Sequence, residues 1–296
     1  MKYWISLVTT MEVAQFVEIA KFAEQVGFEG VSVPDHLVMP TKVAGRYPYT
    51  PDGAMWWPVD TPWPDPWVTL TAMGSATSRL KLASNIYLAA LRDPFTAARA
   101  VGTAAVLTND RIICGVAVGW IKEEYDLLGI DFRTRGKRLD EMLEVMHQLW
   151  TGKEVTHHGR IFKFEHALMA PAPRRRIPIW VGGASQAALR RAARNDGWLG
   201  VPMSNAQLLA TTRNLYAMRK QLGKSGEPFD VVLSPMEAIT PAVKAELESA
   251  GAHHVMALPW TPSPWGRSPW VKEGEDHTCL DVKCKAMERF AHATGL

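Results

Sequence analysis

The chain has 296 residues, 47% hydrophobic and 21% charged, with 33 basic and 30 acidic side chains spread along its length for a net charge of +3. That composition suits one large core and excludes a disordered chain, and the even spread of charge leaves no basic stripe for nucleic acid or an anionic membrane. No apolar run approaches the roughly 20 residues that cross a bilayer, and the N-terminal run MKYWISLVTT reads as a strand rather than a signal peptide, so a cytoplasmic protein with a small-molecule partner is expected.

In chain order, short apolar or β-branched runs alternate with longer amphipathic ones, the pattern of parallel strands joined by crossover helices. Trp4–Val8 is expected as the first strand, Val13–Val26 as a helix ending at Gly27, and Gly30–Val33 as the second strand. A helix starting near Asp65-Pro66 leads to a third strand at Leu80–Ile86, a helix at Pro94–Leu107 and a fourth strand at Ile112–Val118. That fourth run, IICGVAV, has almost no polar residue, as a strand covered on both faces requires. Gly136–Trp150 reads as a strong helix. Strands follow at Ile177–Val181, Gly197–Val201, Asp230–Ser234 and His253–Leu258, with helices at about Gln186–Arg194, Ala206–Leu222, Pro241–Ser249 and Asp276–Ala293. Eight strands and eight helices in one domain, 1–296, define a (β/α)8 TIM barrel of the α/β class. Two insertions break the rhythm: the Trp- and Pro-rich segment 40–66, expected to lie over one barrel face, and 152–173, which alternates like a hairpin.

Barrel enzymes place their chemistry where strands end. The second strand ends in Asp35-His36, a carboxylate and an imidazole at the rim, although Asp also caps helices. The third ends in Ser84-Asn85-Ile86, which suits a bulge. The fourth ends in Gly119-Trp120, and the fifth in Gly182-Gly183-Ala184-Ser185 before a helix, an entry whose backbone N–H groups suit a phosphate. The adjacent pairs His157-His158 and His253-His254 lack metal-ligand spacing, so no metal is expected, and the three cysteines read as reduced thiols. No GxSxG, GxGxxG or Walker-type loop occurs, so hydrolase, Rossmann dehydrogenase and kinase each lack their main part.

Taken in order, VPDHLVMP (33–40), YPYTPDG (47–53), DPWVTLTAMGSATSRLKLASNI (65–86), the run 91–143 and PIWVGGASQAALRRAARNDGW (178–198) resemble the luciferase-like monooxygenase superfamily, and within it the oxidoreductases that use the deazaflavin coenzyme F-420. The likeness fades after Val201. It implies that Asp35 and His36 contact the deazaflavin ring, His36 supplying a proton. It also implies that Asn85-Ile86 is a non-prolyl cis peptide behind the ring, with Gly119-Trp120 at its border and Gly182-Gly183-Ala184-Ser185 cradling the phosphate. The ring would lie over the ends of the second to fourth strands, and Arg174–Arg176 are a solvated loop or a contact for the coenzyme's acidic tail.

Two departures stand out: Asn109-Asp110 replace a glycine pair before Arg111, and Trp120 stands where sugar-phosphate dehydrogenases of the superfamily carry Glu. The second argues against a sugar-phosphate reaction. The reaction implied is hydride transfer between coenzyme F-420 and a small organic substrate, uncharged or aromatic to match the 40–66 segment. The alternatives are an FMN-dependent monooxygenase and a non-catalytic flavin-binding barrel. Barrels of this type often form homodimers.

Overall fold

The computed structural model describes residues 1–261 and 268–296. Eight parallel strands close a barrel: β1 (Lys2–Ser6), β2 (Gly30–Val33), β3 (Lys81–Ser84), β4 (Ile112–Val116), β7 (Ile179–Gly182), β8 (Gly197–Leu199), β9 (Asp230–Leu233) and β10 (His254–Ala257). The remaining strands, β5 (Val155–His158) and β6 (Lys163–Ala167), pair antiparallel as the hairpin expected in 152–173. Around the ring the order is β1-β10-β9-β8-β7-β4-β3-β2.

The outer layer comprises α1 (Phe16–Val26), α2 (Pro66–Ser75), α3 (Pro94–Leu107), α4 (Lys122–Leu127), α5 (Arg135–Leu149), α6 (Gln186–Arg194), α7 (Asn205–Gln221), α8 (Pro241–Ser249) and α9 (Leu280–Thr294). Their starts follow local chemistry. Asp65 accepts from the N–H groups of Trp67 and Val68, Asp93 from Thr96, Ser185 from Ala188 and Thr240 from Val243, and α2, α3 and α8 each add proline in the first turn. The turn before β4 holds Asn109 and Asp110 at φ 55° and 58°, a conformation these two residues tolerate in place of glycine.

Alternation along each strand separates two cores. On β4, Ile113 points into the barrel with Trp4, Ala83, Trp180, Leu199, Val232 and Met256, while Ile112, Cys114 and Val116 pack outward beneath the helices. Both layers are apolar, which is why the strand shows no polar alternation. The structure adds the six-residue α4, absent from the sequence-based outline, and splits the first helix into a 3-10 turn (Val13–Gln15) followed by α1. Among the described residues no helix is long and apolar enough to cross a membrane.

Candidate active site

A cavity of about 400 Å³ opens at the C-terminal ends of the strands. One arc of its wall is backbone-rich. After β3 the chain changes partners: the N–H of Asn85 donates to the carbonyl of Val33 on β2 (2.7 Å), whereas that of Tyr87 donates to Gly115 on β4 (2.7 Å). The peptide between them, Asn85-Ile86, is cis, and both residues line the cavity. Ser84 fastens this bulge to β4, its hydroxyl donating to the carbonyl of Gly115 (2.8 Å) and accepting from the N–H of Gly115 (3.0 Å). A side chain at 115 would place Cβ 1.9 Å from the Ser84 carbonyl oxygen, so glycine permits the approach.

Facing the bulge are Gly182 and Gly183. A Cβ on Gly182 would stand 2.9 Å from Ile86 Cγ2, and Gly183 has φ +111°. Ala117 and Leu199–Pro202 complete this arc. The opposite arc comes from the ends of β1, β9 and β10 and includes Ser6, Ser234, Met256 and Thr261. The segment 40–66 roofs the cavity with Tyr47, Tyr49 and Trp56. These rings belong to an edge-to-face aromatic cluster in which Tyr47 touches Tyr49, Trp57 and Trp120 at centroid distances of 5.3, 4.9 and 5.4 Å. Burial pushes the Tyr47 phenol up to about 12, so it stays protonated. Among the described residues no Lys, Arg, Asp, Glu or His lines the cavity.

The structure therefore divides the sequence-based candidates. Asn85, Ile86, Gly182 and Gly183 meet at the cavity; Asp35, His36, Ser84, Gly119, Trp120, Ala184 and Ser185 are not among its lining residues. Asp35 does not present a free carboxylate at the rim. It is buried in a bidentate pair with Arg92 (2.8 and 3.0 Å) and accepts from the N–H of Leu88 (2.9 Å). Burial pushes its carboxyl upward, but Arg92 and the Leu88 N–H pull against that, and the paired geometry is that of an ionised group.

His36 sits behind the roof, edge-to-face with Trp63 (4.8 Å), its Nδ1 3.1 Å from Oε2 of Glu124. Glu124, only 1% exposed, also accepts from the N–H of Leu37 (2.7 Å), and Glu123 accepts from that of Ala44 (3.0 Å). Helix α4 thus anchors the start of the excursion. Ser185 spends its hydroxyl on capping α6, and Trp120 packs on Tyr47. Arg174–Arg176 precede β7 and so lie at the opposite, N-terminal face, where Arg176 pairs with Asp196 (2.5 Å); that position rules out contact with a ligand in the cavity. The cavity wall draws on β1, β3, β4 and β7 to β10, and Asp35–Arg92 and His36–Glu124 pair at the end of β2.

Arg92, Glu124 and the β8–β10 contributions were missed. Nothing local marks the two partners, since the pairings span 57 and 88 residues. The strand ends after Leu199 and Leu233 could have been found from the rule that every strand end faces the site.

A closed parallel barrel with a neutral, aromatic-roofed cavity at its C-terminal face defines a (β/α)8 protein built to enclose a small molecule. Residues 4–279 match the luciferase-like monooxygenase family, and the chain belongs to that family of oxidoreductases. An uncharacterized protein of Mycobacterium tuberculosis is 33% identical over 93% of each chain. The coenzyme F-420-dependent glucose-6-phosphate dehydrogenase of Nakamurella multipartita is 30% identical over 76% of this chain and 62% of its own. In fold, the monooxygenase RslO1 of Streptomyces bottropensis superposes with a TM-score of 0.74 at 15% identity, over 99% of this chain and 98% of its own. The coenzyme F-420-dependent tetrahydromethanopterin reductase of Methanopyrus kandleri gives 0.61 at 20% identity, over 78% and 64%.

Proposed function

We propose that this protein transfers a hydride between the deazaflavin coenzyme F-420 and a small organic substrate. The observation that carries the reading is the cavity arc in which Asn85-Ile86 faces Gly182-Gly183 with no charged side chain among the described lining residues. The residues present fit a flat, neutral ring system: Ile86 offers an apolar floor, the absent Cβ at 182 lets that floor approach, and Leu199 and Ala117 extend it. For a phosphate, the N–H groups of Gln186 and Ala187 in the first turn of α6 have no intrahelical partner, and the helix dipole points the same way. The choice of deazaflavin over FMN is supported by the coenzyme F-420-dependent relative at 30% identity.

When bound, the deazaflavin supplies a carbon centre that gives or takes a hydride. The chain's own residues do the rest. Ile86 and the glycine pair orient the ring, and Tyr47, Tyr49 and Trp56 exclude water and press the substrate toward it. In this arrangement Asp35 and His36 act by position, fixing the end of β2 and the roof above it. A general acid or base contributes about 10²–10⁴-fold to a rate. His36→Ala is therefore expected to lower kcat by less than about 10²-fold, and a larger loss would restore the proton-transfer role of His36. The excursion roofs the cavity rather than filling it, which favours an enzyme over a binding-only barrel.

Titration of the purified protein with oxidised coenzyme F-420 and with FMN, read by fluorescence quenching, tests the cofactor. Saturable quenching by the deazaflavin is expected. Tight binding of FMN with none of the deazaflavin would overturn the assignment in favour of the FMN-dependent monooxygenase.

A further inference from the structure

The strand order around the barrel divides the cavity wall into two contiguous arcs. The bulge and the glycine pair lie on the β3-β4-β7-β8 side, and the remaining wall lies on the β9-β10-β1 side. That second arc is a built surface. Ser268 donates to the carbonyl of Pro259 and accepts from the N–H of Trp270 (3.3 Å), the carbonyl of Trp270 accepts from Arg289 on α9 (2.7 Å), and the Trp270 ring stands edge-on to Phe290 at 5.5 Å. Ser234 is likewise committed, donating to the carbonyl of Gly200 (2.8 Å).

Thr261 differs from these neighbours. It is 7% exposed, it lines the cavity, and its hydroxyl has no partner among the described residues. A buried hydroxyl left unpaired costs about 1–3 kcal/mol, so natural sites rarely keep one without a ligand or water to meet it. Met236, Met256 and Leu258 line the same cavity with apolar surface. A carboxylate or phosphate placed there would lose its hydration without gaining a cation from the described lining residues, a cost of several kcal/mol or more.

We infer that the β9-β10-β1 arc is a substrate subsite for a small, uncharged carbonyl compound with an aromatic or alicyclic body, its carbonyl oxygen accepting from the Thr261 hydroxyl. This rests on the flavin-type reading of the opposite arc and narrows the substrate to neutral molecules. Met236, Met256 and Trp270 fit the apolar body, with methionine adapting to its outline, and the roof tyrosines close over it. The cavity of about 400 Å³ lies near the lower end of the range for ligand pockets, roughly 300–1,000 Å³, which keeps the substrate small.

Cinnamamide and cinnamate share a skeleton and differ in charge, so calorimetric titration of the full chain with each, with and without saturating oxidised coenzyme F-420, tests the inference. Cinnamamide is expected to bind at least tenfold tighter than cinnamate. Thr261→Val is expected to weaken cinnamamide about five- to tenfold, the loss of one hydrogen bond, while Thr261→Ser keeps the affinity and both variants keep wild-type quenching by the coenzyme. Cinnamate binding as tightly as the amide, absence of cinnamamide binding to the wild type, or an unchanged affinity in Thr261→Val would each overturn it. If Thr261→Val does not fold, the amide-to-carboxylate ratio of the wild type decides. Coenzyme quenching without amide binding would defeat the subsite alone, and amide binding without coenzyme quenching would defeat the cofactor reading alone.

Discussion

The two ends of the barrel are built to opposite rules. At the N-terminal end, polar groups close on one another inside the strands. The indole N–H of Trp4 donates to Nδ1 of His254 (3.0 Å), which leaves the imidazole proton on Nε2, 3.3 Å from Oδ1 of Asp230. Oδ2 of the same carboxylate accepts from the indole of Trp180 (3.1 Å). Burial opposes the charge on Asp230, but the bonds from His254 and Trp180 prevail and hold its carboxyl below the usual range. At the C-terminal end, beyond the pairs at β2, the Thr261 hydroxyl in the cavity wall and the indole N–H groups of Trp57 and Trp63 in the 40–66 segment have no partners among the described residues. The barrel interior at one end is closed by its own polar groups, and the cavity at the other keeps a hydroxyl that none of the described residues meets.

The largest expected effect lies at the closed end. Trp180 is fully buried in the barrel interior, so Trp180→Ala should cost about 3–5 kcal/mol in denaturant unfolding. A loss under about 1 kcal/mol would show that the plug carries little of the fold.

Asp35 tests where the boundary between the ends runs. Asp35→Ala strands Arg92 as a buried charge and should cost about 3–5 kcal/mol, whereas replacing both, Asp35→Leu with Arg92→Met, should recover most of that. A stable Asp35→Ala protein with abolished turnover would move Asp35 back among the groups that touch the ligand.

A pH dependence of intermediate size belongs to His147 on α5, whose imidazole burial holds down to about 4. The folded state prefers the neutral ring, so stability is full above the unfolded value near 6.5 and declines as pH falls from there toward 4, by on the order of 3 kcal/mol. Unfolding free energies across that window should flatten in His147→Phe, and an unchanged slope would place the acid sensitivity elsewhere. The smallest effect is expected at the open end. Tyr49→Phe should alter stability by less than about 0.5 kcal/mol while changing ligand affinity, and a large stability loss would erase the contrast between the two ends.

Much of the closed architecture was legible in the sequence because its signals are local. Gly30–Val33, Pro94–Leu107, Gln186–Arg194 and Pro241–Ser249 were bounded as the structure bounds them, the three helices among these by an N-cap with or without a following proline. Helix α4 was not, since six residues, KEEYDL, are too short for a helical period to show and Glu124 is buried against expectation for its type. The site was half legible. Asn85-Ile86 and Gly182-Gly183 announce themselves because backbone geometry demands special residues there. Asp35 and His36 looked exposed because their partners, Arg92 and Glu124, are distant in sequence and their pairing is a property of the folded ring.

The ring's seat is the most direct test of the whole account. A co-crystal structure of the full chain with oxidised coenzyme F-420 should show the ring against Ile86 and Gly183, with the Thr261 arc facing its open side. A ring resting on Asp35 and His36 at the end of β2, away from the glycine pair, would contradict it.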